Sequence, residues 1–247
     1  MLNVLKGKGL VWPALMTLLG VALLIALGTW QMQRLAWKQG LLADISARAH
    51  GEPVSVARAL ALERDGKDTE YLRVNAQGRF LHGKELHFYD FDAKFGPGYH
   101  VLTPLQLTDG SAVFVNRGYV PLDLKEPGTR AKGQVLDDVQ IVGLVRLPRK
   151  PGAFTPANDV EKNIWYWRDL GAMTASAFGE DKPQILPFVI DAEAEPRPPG
   201  DWPKGGVTRL ELPNRHLEYA VTWYGLALAL VAVFLAYAIP RLRRPAP

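Results

Sequence analysis

The sequence predicts a membrane protein in which two transmembrane helices, paired as a hairpin, flank a β-rich α+β domain outside the cytoplasm. Two stretches of the 247-residue chain, 9–33 and 219–240, contain no charged side chain. About 20 apolar residues, rising ~1.5 Å each, cross a hydrocarbon layer of ~30 Å, so both stretches can span it. Between them, short runs rich in β-branched and aromatic residues alternate with turn signals, as expected for a sheet.

The distribution of charge predicts the topology of the two spans. The chain has 29 Lys and Arg against 25 Asp and Glu, a net charge of +4. All 25 acids but only 24 of the basic residues lie within 34–218, so this segment carries a charge of −1. The remaining cations lie at the chain ends: Lys6, Lys8, Arg241, Arg243 and Arg244. Because positive residues favour the cytoplasmic side, both termini are predicted to be cytoplasmic, and the basic balance does not indicate a nucleic-acid surface.

The spans divide the chain into five segments. We predict cytoplasmic tails at 1–9 and 241–247, transmembrane helices at 10–33 and 219–240, and a periplasmic domain at 34–218. The first apolar run is longer than the 7–15 residues typical of a cleaved signal peptide, and no Arg- and Ser-rich transit peptide precedes it. The predicted location is therefore the plasma (inner) membrane of a bacterium, with the protein crossing the lipid twice.

The elements follow in chain order. The helical pattern of the first span continues to about residue 49, and the Gly-Glu-Pro sequence at 51–53 ends it. A short helix is predicted at 56–62 and another at 169–178. The predicted strands are 71–80, 85–90, 99–107, 112–120, 139–147, 164–168 and 185–190. The turn signals between them are at 95–98, 109–110 and 148–151. Four prolines in 193–204 predict a loop that returns the chain to the membrane.

Residue content excludes several classes of chemistry. The chain has no cysteine, which removes disulfides, zinc–thiolate sites, covalent c-type haem attachment and thiol catalysis. It also lacks the G-x-S-x-G, H-E-x-x-H, P-loop and G-x-G-x-x-G motifs. His82, His87 and His100 lie on or beside neighbouring predicted strands. They form either a metal site or three separate, half-exposed positions. Asp90 and Asp92 share one face of a predicted strand. They are either a pair of catalytic carboxylates or part of the solvent-exposed side of that strand.

The outer edge of the membrane carries the more informative side chains. In the predicted topology, the end of the first span and the start of the second lie at a similar depth. His216, Tyr219 and Trp223 share one helix face through i, i+3 and i+7 spacing, with Arg34 and Lys38 on the neighbouring helix. An aromatic belt with cationic anchors explains most of these residues. His216 fits that explanation less well, and an axial imidazole beside an apolar groove and cations suits a haem.

Five sequence blocks resemble one known family, in the family's order and over nearly the whole chain. They are GTWQMQRLAWK at 28–38, TPL at 103–105, VNRGYVP at 115–121, NIWYWRD at 163–169 and NRHLEYAVTWYG at 214–225. Each block alone is weakly specific, but together they resemble the surfeit locus family of cytochrome c oxidase assembly proteins, in its bacterial form. The family's two-span architecture agrees with the hydropathy pattern.

The resemblance implies a role in building haem–copper terminal oxidases rather than an enzymatic activity. Family members promote insertion of haem a into the catalytic subunit, and bacterial members bind haem a transiently and without a covalent bond. The matching position for the axial iron ligand is His216, with Trp223 as a supporting aromatic. The implied partners are the catalytic subunit and haem a synthase. The block Asn116-Arg117-Gly118 receives no assigned chemistry: it is either a tight turn whose arginine satisfies buried carbonyls or a docking surface.

The topology adds its own expectation, and two other function classes stay open. We expect Tyr219 to contact the haem face and Arg34 or Lys38 to pair with its propionates. One alternative is a ligand-free membrane scaffold or sensor that stabilises an oxidase subunit, with the aromatic belt as a simple anchor. The other is a membrane enzyme that uses the histidine group at His82, His87 and His100 as a metal site.

Overall fold

The computed structural model describes residues 9–210 and 214–243. The chain forms two compact units: a terminal unit, made of residues 1–44 and 211–247, and a central unit, residues 45–210. The charged residues Lys6, Lys8 and Arg244, which support the predicted topology, lie outside the described residues. The two units are described separately below.

The terminal unit contains two long apolar helices. Helix α1 spans Val11–His50, 40 residues that continue into the central unit, and the last helix, α4, spans His216–Arg243, 28 residues. Both are long and apolar enough to cross a bilayer. Large apolar side chains along them are exposed, including Leu23 at 61% and Leu228 at 72%. Such exposure is favourable in lipid, so these helices anchor the chain in a membrane.

Small residues bring the two helices close together. Contacts from Gly20 to Leu230 and from Gly28 to Tyr224 show that α1 and α4 run antiparallel. A Cβ atom on Gly28 would lie 2.7 Å from the Tyr224 ring, so only glycine permits this approach. On α4, Ala220 is 1% exposed and packs within the unit. Small residues at helix contacts are the usual basis of packing inside membranes.

The central unit is a β-barrel with additions. Its strands are β1 Val54–Ser55, β2 Arg73–Phe80, β3 Leu86–Asp92, β4 Gly96–Leu107, β5 Ala112–Pro121, β6 Val139–Arg146, β7 Ile164–Trp165 and β8 Ile185–Ala192. Strand β2 pairs with both β6 and β4, which closes the ring β2–β6–β8–β5–β4. All pairings are antiparallel except β1–β2, β3–β7 and β5–β8. Closure leaves no free edge among the five barrel strands.

The barrel core follows from the apolar runs of its strands. Strand β5 is buried at all but its last position, because it lies in the middle of the sheet order. Its Val113 and Val115 pack with Phe188 and Ile190 of β8 in one cluster. Outside the ring, helix α2 (Val56–Arg64) packs Ala59 into the same cluster.

A second cluster holds the other helix of the central unit against the sheet. Helix α3 (Leu170–Phe178) begins at Asp169, whose carboxylate accepts a hydrogen bond from the Ala172 amide at 3.0 Å, as an N-cap. Its Met173 packs against Trp165 and Phe114, all of them at most 1% exposed. The arrangement confirms the predicted fold class, a β-rich α+β domain flanked by two membrane helices.

Two local predictions differ from the structure. The turn signal at 95–98 was expected to break the chain, but β4 already starts at Gly96, and Gly98 lies inside the strand. Glycine is required at 98 because a Cβ would overlap the β5 backbone and the Tyr119 ring. The predicted strand at 164–168 is only Ile164–Trp165, since Tyr166 and Trp167 donate their amides to the Asn158 side chain instead of a strand.

Candidate functional site

His216 is held by a hydrogen bond across the helix pair. It is the first residue of α4, and its Nδ1 lies 2.8 Å from Oε1 of Gln31 on α1. Because an amide oxygen only accepts, Nδ1 is the donor in this contact, and Nε2 is the nitrogen available for a metal. No hydrogen bond to Nε2 occurs within residues 9–210 and 214–243. An imidazole that is oriented through one nitrogen and has the other available is the arrangement found in metal-ligating histidines.

The aromatic residues near the start of α4 differ in how far they are exposed. His216 and Trp223 are partly buried and stand on the same side as Ala220, which is 1% exposed. Tyr219 lies on the outward side and is 52% exposed. Trp223 is therefore on the face of His216, as predicted, whereas Tyr219 lies at its exposed margin.

The two cations lie beyond Gln31 on α1. Helical geometry places Arg34 one turn from Gln31 and Lys38 two turns away, about 10 Å along the axis and on the same face. The Arg34 guanidinium stacks 4.0 Å from the Trp37 ring, and Lys38 is half-buried. The two positive charges therefore lie C-terminal to Gln31, beyond the apolar stretch of α1.

Two polar residues of α1 that form hydrogen bonds to α4 were not predicted from the sequence. Gln31 orients His216, and the hydroxyl of Thr29 lies 3.2 Å from that of Tyr224. Both occur within the block at 28–38, but neither was predicted to have a role. The available signal was their polarity, because a polar side chain within or beside an apolar span is usually paired with another helix.

The block Asn116-Arg117-Gly118 is structural in the described residues. Gly118 lies within β5 and is not a tight turn; its φ of +120° and the closeness of the Lys204 carbonyl require glycine. Arg117 donates to the carbonyl of Gly133 and lies 3.2 Å from Nδ1 of His82. The expectation that Arg117 satisfies a buried carbonyl is confirmed. Burial lowers the pKa of Arg117 to about 10.

The histidine group does not form a metal site. In the β3–β4 register, His87 and His100 are offset by one position, so their side chains leave opposite faces of the sheet. His87 lies 3.1 Å from the Glu85 carboxylate, and His100 lies 3.1 Å from Asp90. No set of three metal-ligating His or carboxylate side chains occurs in the part of the chain that the structure describes. The metal-site alternative is therefore wrong for His82, His87 and His100.

Asp90 and Asp92 each have a structural partner. The hydrogen bond from His100 holds the pKa of Asp90 below its ordinary value. Asp92 accepts the amides of Lys94 and Phe95 at 2.8 and 3.0 Å, which closes the β3–β4 turn. Both side chains are partly exposed, which agrees with the alternative that they form the solvated side of the strand.

Asp191 is the centre of a buried polar network in the barrel. It is 2% exposed and accepts hydrogen bonds from Asn116 at 2.9 Å, Arg146 at 2.8 Å and Thr208 at 2.7 Å. Burial alone would raise the pKa of Asp191, but Arg168, Arg146 and the neutral donors together hold it below the ordinary value. Nothing in the sequence marked Asp191, because an isolated aspartate at a strand end carries no pattern.

Comparison with known proteins gives one consistent result. A model of the SURF1 family matches residues 18–228, from within α1 to within α4. Surfeit locus protein 1 of Mus musculus is 40% identical over 218 residues, covering 82% of this chain and 68% of that protein. Surfeit locus protein 1 of Homo sapiens is 40% identical over 219 residues, covering 82% and 70%. A SURF1-like protein of Drosophila melanogaster is 35% identical over 222 residues, with the same coverage.

Proposed function

Because the chain belongs to the SURF1 family, we propose that it is an assembly factor for a haem–copper terminal oxidase. In this proposal it binds haem a and promotes its insertion into the catalytic subunit, without itself catalysing a reaction. The observation that carries the proposal is the imidazole of His216, oriented by Gln31 at the start of an apolar helix.

His216 would supply the axial ligand. The hydrogen bond that Nδ1 donates to Gln31 fixes the ring and increases the basicity of Nε2. Only neutral imidazole ligates iron, so acid should weaken binding. A single protein ligand gives modest affinity, which suits a carrier whose haem must leave for a tighter site.

The surrounding side chains match the other parts of a haem. Trp223 is on the same face of α4 as His216 and would pack against the macrocycle, while Tyr219 would contact its edge. Arg34 and Lys38 extend away from the apolar region on α1 and would pair with the propionates. The fit rests on a nitrogen donor, an apolar helix pair and nearby cations.

The location follows from the same proposal. The two helices would cross a bacterial plasma membrane with both termini cytoplasmic and the central unit in the periplasm. The ends carry the excess positive charge, as this orientation requires. The partners would be the catalytic oxidase subunit and haem a synthase.

Haem content of the purified protein tests the ligand assignment. Chains purified from cells that make haem a should show a Soret band, and His216→Ala should lose it or shift it. His50→Ala is the matched control, because His50 also lies on a long helix but bonds only to Ser46 within its own turn. Gln31→Leu should lower haem content to an intermediate level, since the ring keeps its ligand atom but loses its orientation.

The ligand-free scaffold makes the opposite prediction. If the protein only holds an oxidase subunit, it should be colourless when purified with haem a available, and His216→Ala should leave oxidase assembly intact. An unchanged spectrum and haem content in His216→Ala would contradict the assignment of His216 as ligand.

A further inference from the structure

A cleft in the central unit brings together two sequence blocks that the proposed function does not use. It has a volume of about 280 Å³ and is lined by Asn116 of the β5 block and Arg168 of the 163–169 block. Arg146 and Asp191 complete its floor. These residues come from β5, β6, β8 and the segment after β7, so only the closed barrel assembles them.

The Arg168 side chain lines this cleft, and its guanidinium N–H groups have no close hydrogen-bond acceptor in the described residues. Its side chain is 20% exposed, and its ion pair with Asp191 is long, 3.7 Å between N and O. Within residues 9–210 and 214–243 its guanidinium donates no hydrogen bond. Burial lowers the pKa of Arg168, even though Asp191 acts in the opposite direction. The guanidinium lies 5.7 Å from the Phe88 ring, and its solvent-reached N–H groups are free to donate to an acceptor that enters the cleft.

Arg146 provides the contrast in the same cleft. It donates to Asp191 at 2.8 Å and to Glu70 at 3.2 Å, and its guanidinium lies 4.8 Å from the Tyr71 ring. Although burial opposes it, the two carboxylates raise the pKa of Arg146. Both arginines therefore interact with the Asp191 carboxylate, but only Arg146 is within hydrogen-bond distance of it.

The charge of the lining limits the ligand. Arg146, Arg168 and Arg209 line the cleft together with Asp90 and Asp191, and Arg146 also pairs with Glu70 beside it. Arg209, at the exposed side, donates a long hydrogen bond of 3.5 Å to the Phe91 carbonyl. Beside these carboxylates, a ligand with one negative charge meets less repulsion than a phosphate dianion would. A carboxylate also matches the planar fork of a guanidinium.

We propose that this cleft binds the carboxylate group of an organic acid, held by Arg168 on the inside and by Arg209 at the mouth. The cleft is at the small end of ligand pockets, so it would take a short acid or one arm of a larger molecule. The proposal rests on the central unit alone and does not depend on haem binding by His216.

Nuclear magnetic resonance of the full chain in detergent tests it, with the arginine side chains labelled with ¹⁵N. Titration with propionate should shift the Arg168 Nε–H signal with saturation, and the neutral isostere propanamide should not. Arg209→Gln should weaken binding several-fold without touching the core, and Arg168→Gln should weaken it at least tenfold. Arg149→Gln is the matched control, because Arg149 is 66% exposed and pairs with Glu70 outside the lining; it should bind as the parent does.

The outcomes separate the possibilities. Displacement of propionate by metal-free protoporphyrin, but not by its dimethyl ester, would support a porphyrin arm as the carboxylate. Lack of displacement would support a free short acid. Equal shifts with propionate and propanamide, or unchanged binding in both Arg209→Gln and Arg168→Gln, would overturn the proposal.

Discussion

The Arg215–Glu218 ion pair of the terminal unit is exposed, whereas several charged groups of the central unit are buried. The Arg215–Glu218 pair on α4 has side chains 71% and 67% exposed. In the central unit, by contrast, the Arg130–Glu85 pair has side chains only 2% and 4% exposed. Exposed pairs contribute little to stability, while a buried charge that loses its partner is strongly destabilising. The two units therefore depend on different interactions: close helix packing in one, and matched buried charge in the other.

The largest expected effect is in the central unit. Asp191→Asn removes the buried negative charge that Arg146 and Arg168 share, so it should lower the free energy of unfolding by about 3–5 kcal/mol. Hydrogen exchange of the β5 and β8 amides in the detergent-solubilised chain measures it. Glu195→Gln is the control, because the Glu195–Arg197 pair is exposed, and it should change stability by less than ~1 kcal/mol. Similar protection in both variants would show that the buried network does not stabilise the barrel.

A smaller effect is expected from the helix contact of the terminal unit. Gly28→Ala places a Cβ against the Tyr224 ring, so it should cost about 1–3 kcal/mol of overpacking or move the helices apart. Gly40→Ala is the control on the same helix, since nothing lies within 4 Å of its Cβ position, and it should be neutral or stabilising by up to ~1 kcal/mol. Because the chain has no cysteine, spin labels at single introduced cysteines on α1 and α4 can report the spacing. An unchanged spacing and stability in Gly28→Ala would show that the helices do not depend on this contact.

The smallest expected effect is the pH dependence of the stability of the central unit. Burial lowers the pKa of His82 from its ordinary value near 6.5. The unfolded chain then binds this proton more readily than the folded one, so His82 contributes stability above pH ~6.5 and loses it as the pH falls through the folded pKa. His82 contributes at most about 1.4 kcal/mol per pH unit to the pH dependence of the free energy of unfolding. His82→Gln should flatten the stability of the barrel between pH 6.5 and 5, and an unchanged slope would contradict the assignment.

Much of the fold was predictable because its signals are local. Uninterrupted apolar runs determine α1 and α4, and turn residues between β-branched runs determine most strands. Helix α3 was predicted at 169–178 and spans Leu170–Phe178, and α2 began at the predicted residue, 56. Closure of the barrel was not predictable, because the pairing of β2 with both β4 and β6 joins segments far apart in the chain.

In the candidate site, too, local features were predictable and contacts between distant segments were not. His216 and Trp223 were recognisable from their spacing at the edge of an apolar run, since a helix places i and i+7 on one face. The residue that orients His216, Gln31, lies 185 positions away, and only the packing of two helices brings them together. The three histidines were close in the sequence, yet the strand register places His87 and His100 on opposite faces of the sheet.

The sequence by itself determined the number of apolar helices, the order of the strands and the sign of charge at each end, because these depend on composition and on periods of two or a few residues. Only the tertiary structure decided which polar groups meet. The hydrogen bond of His216 to Gln31 and the gathering of Arg146, Arg168 and Asp191 around one cleft are contacts between distant segments. Their free energy comes from burial that the fold as a whole creates, and no local pattern encodes it.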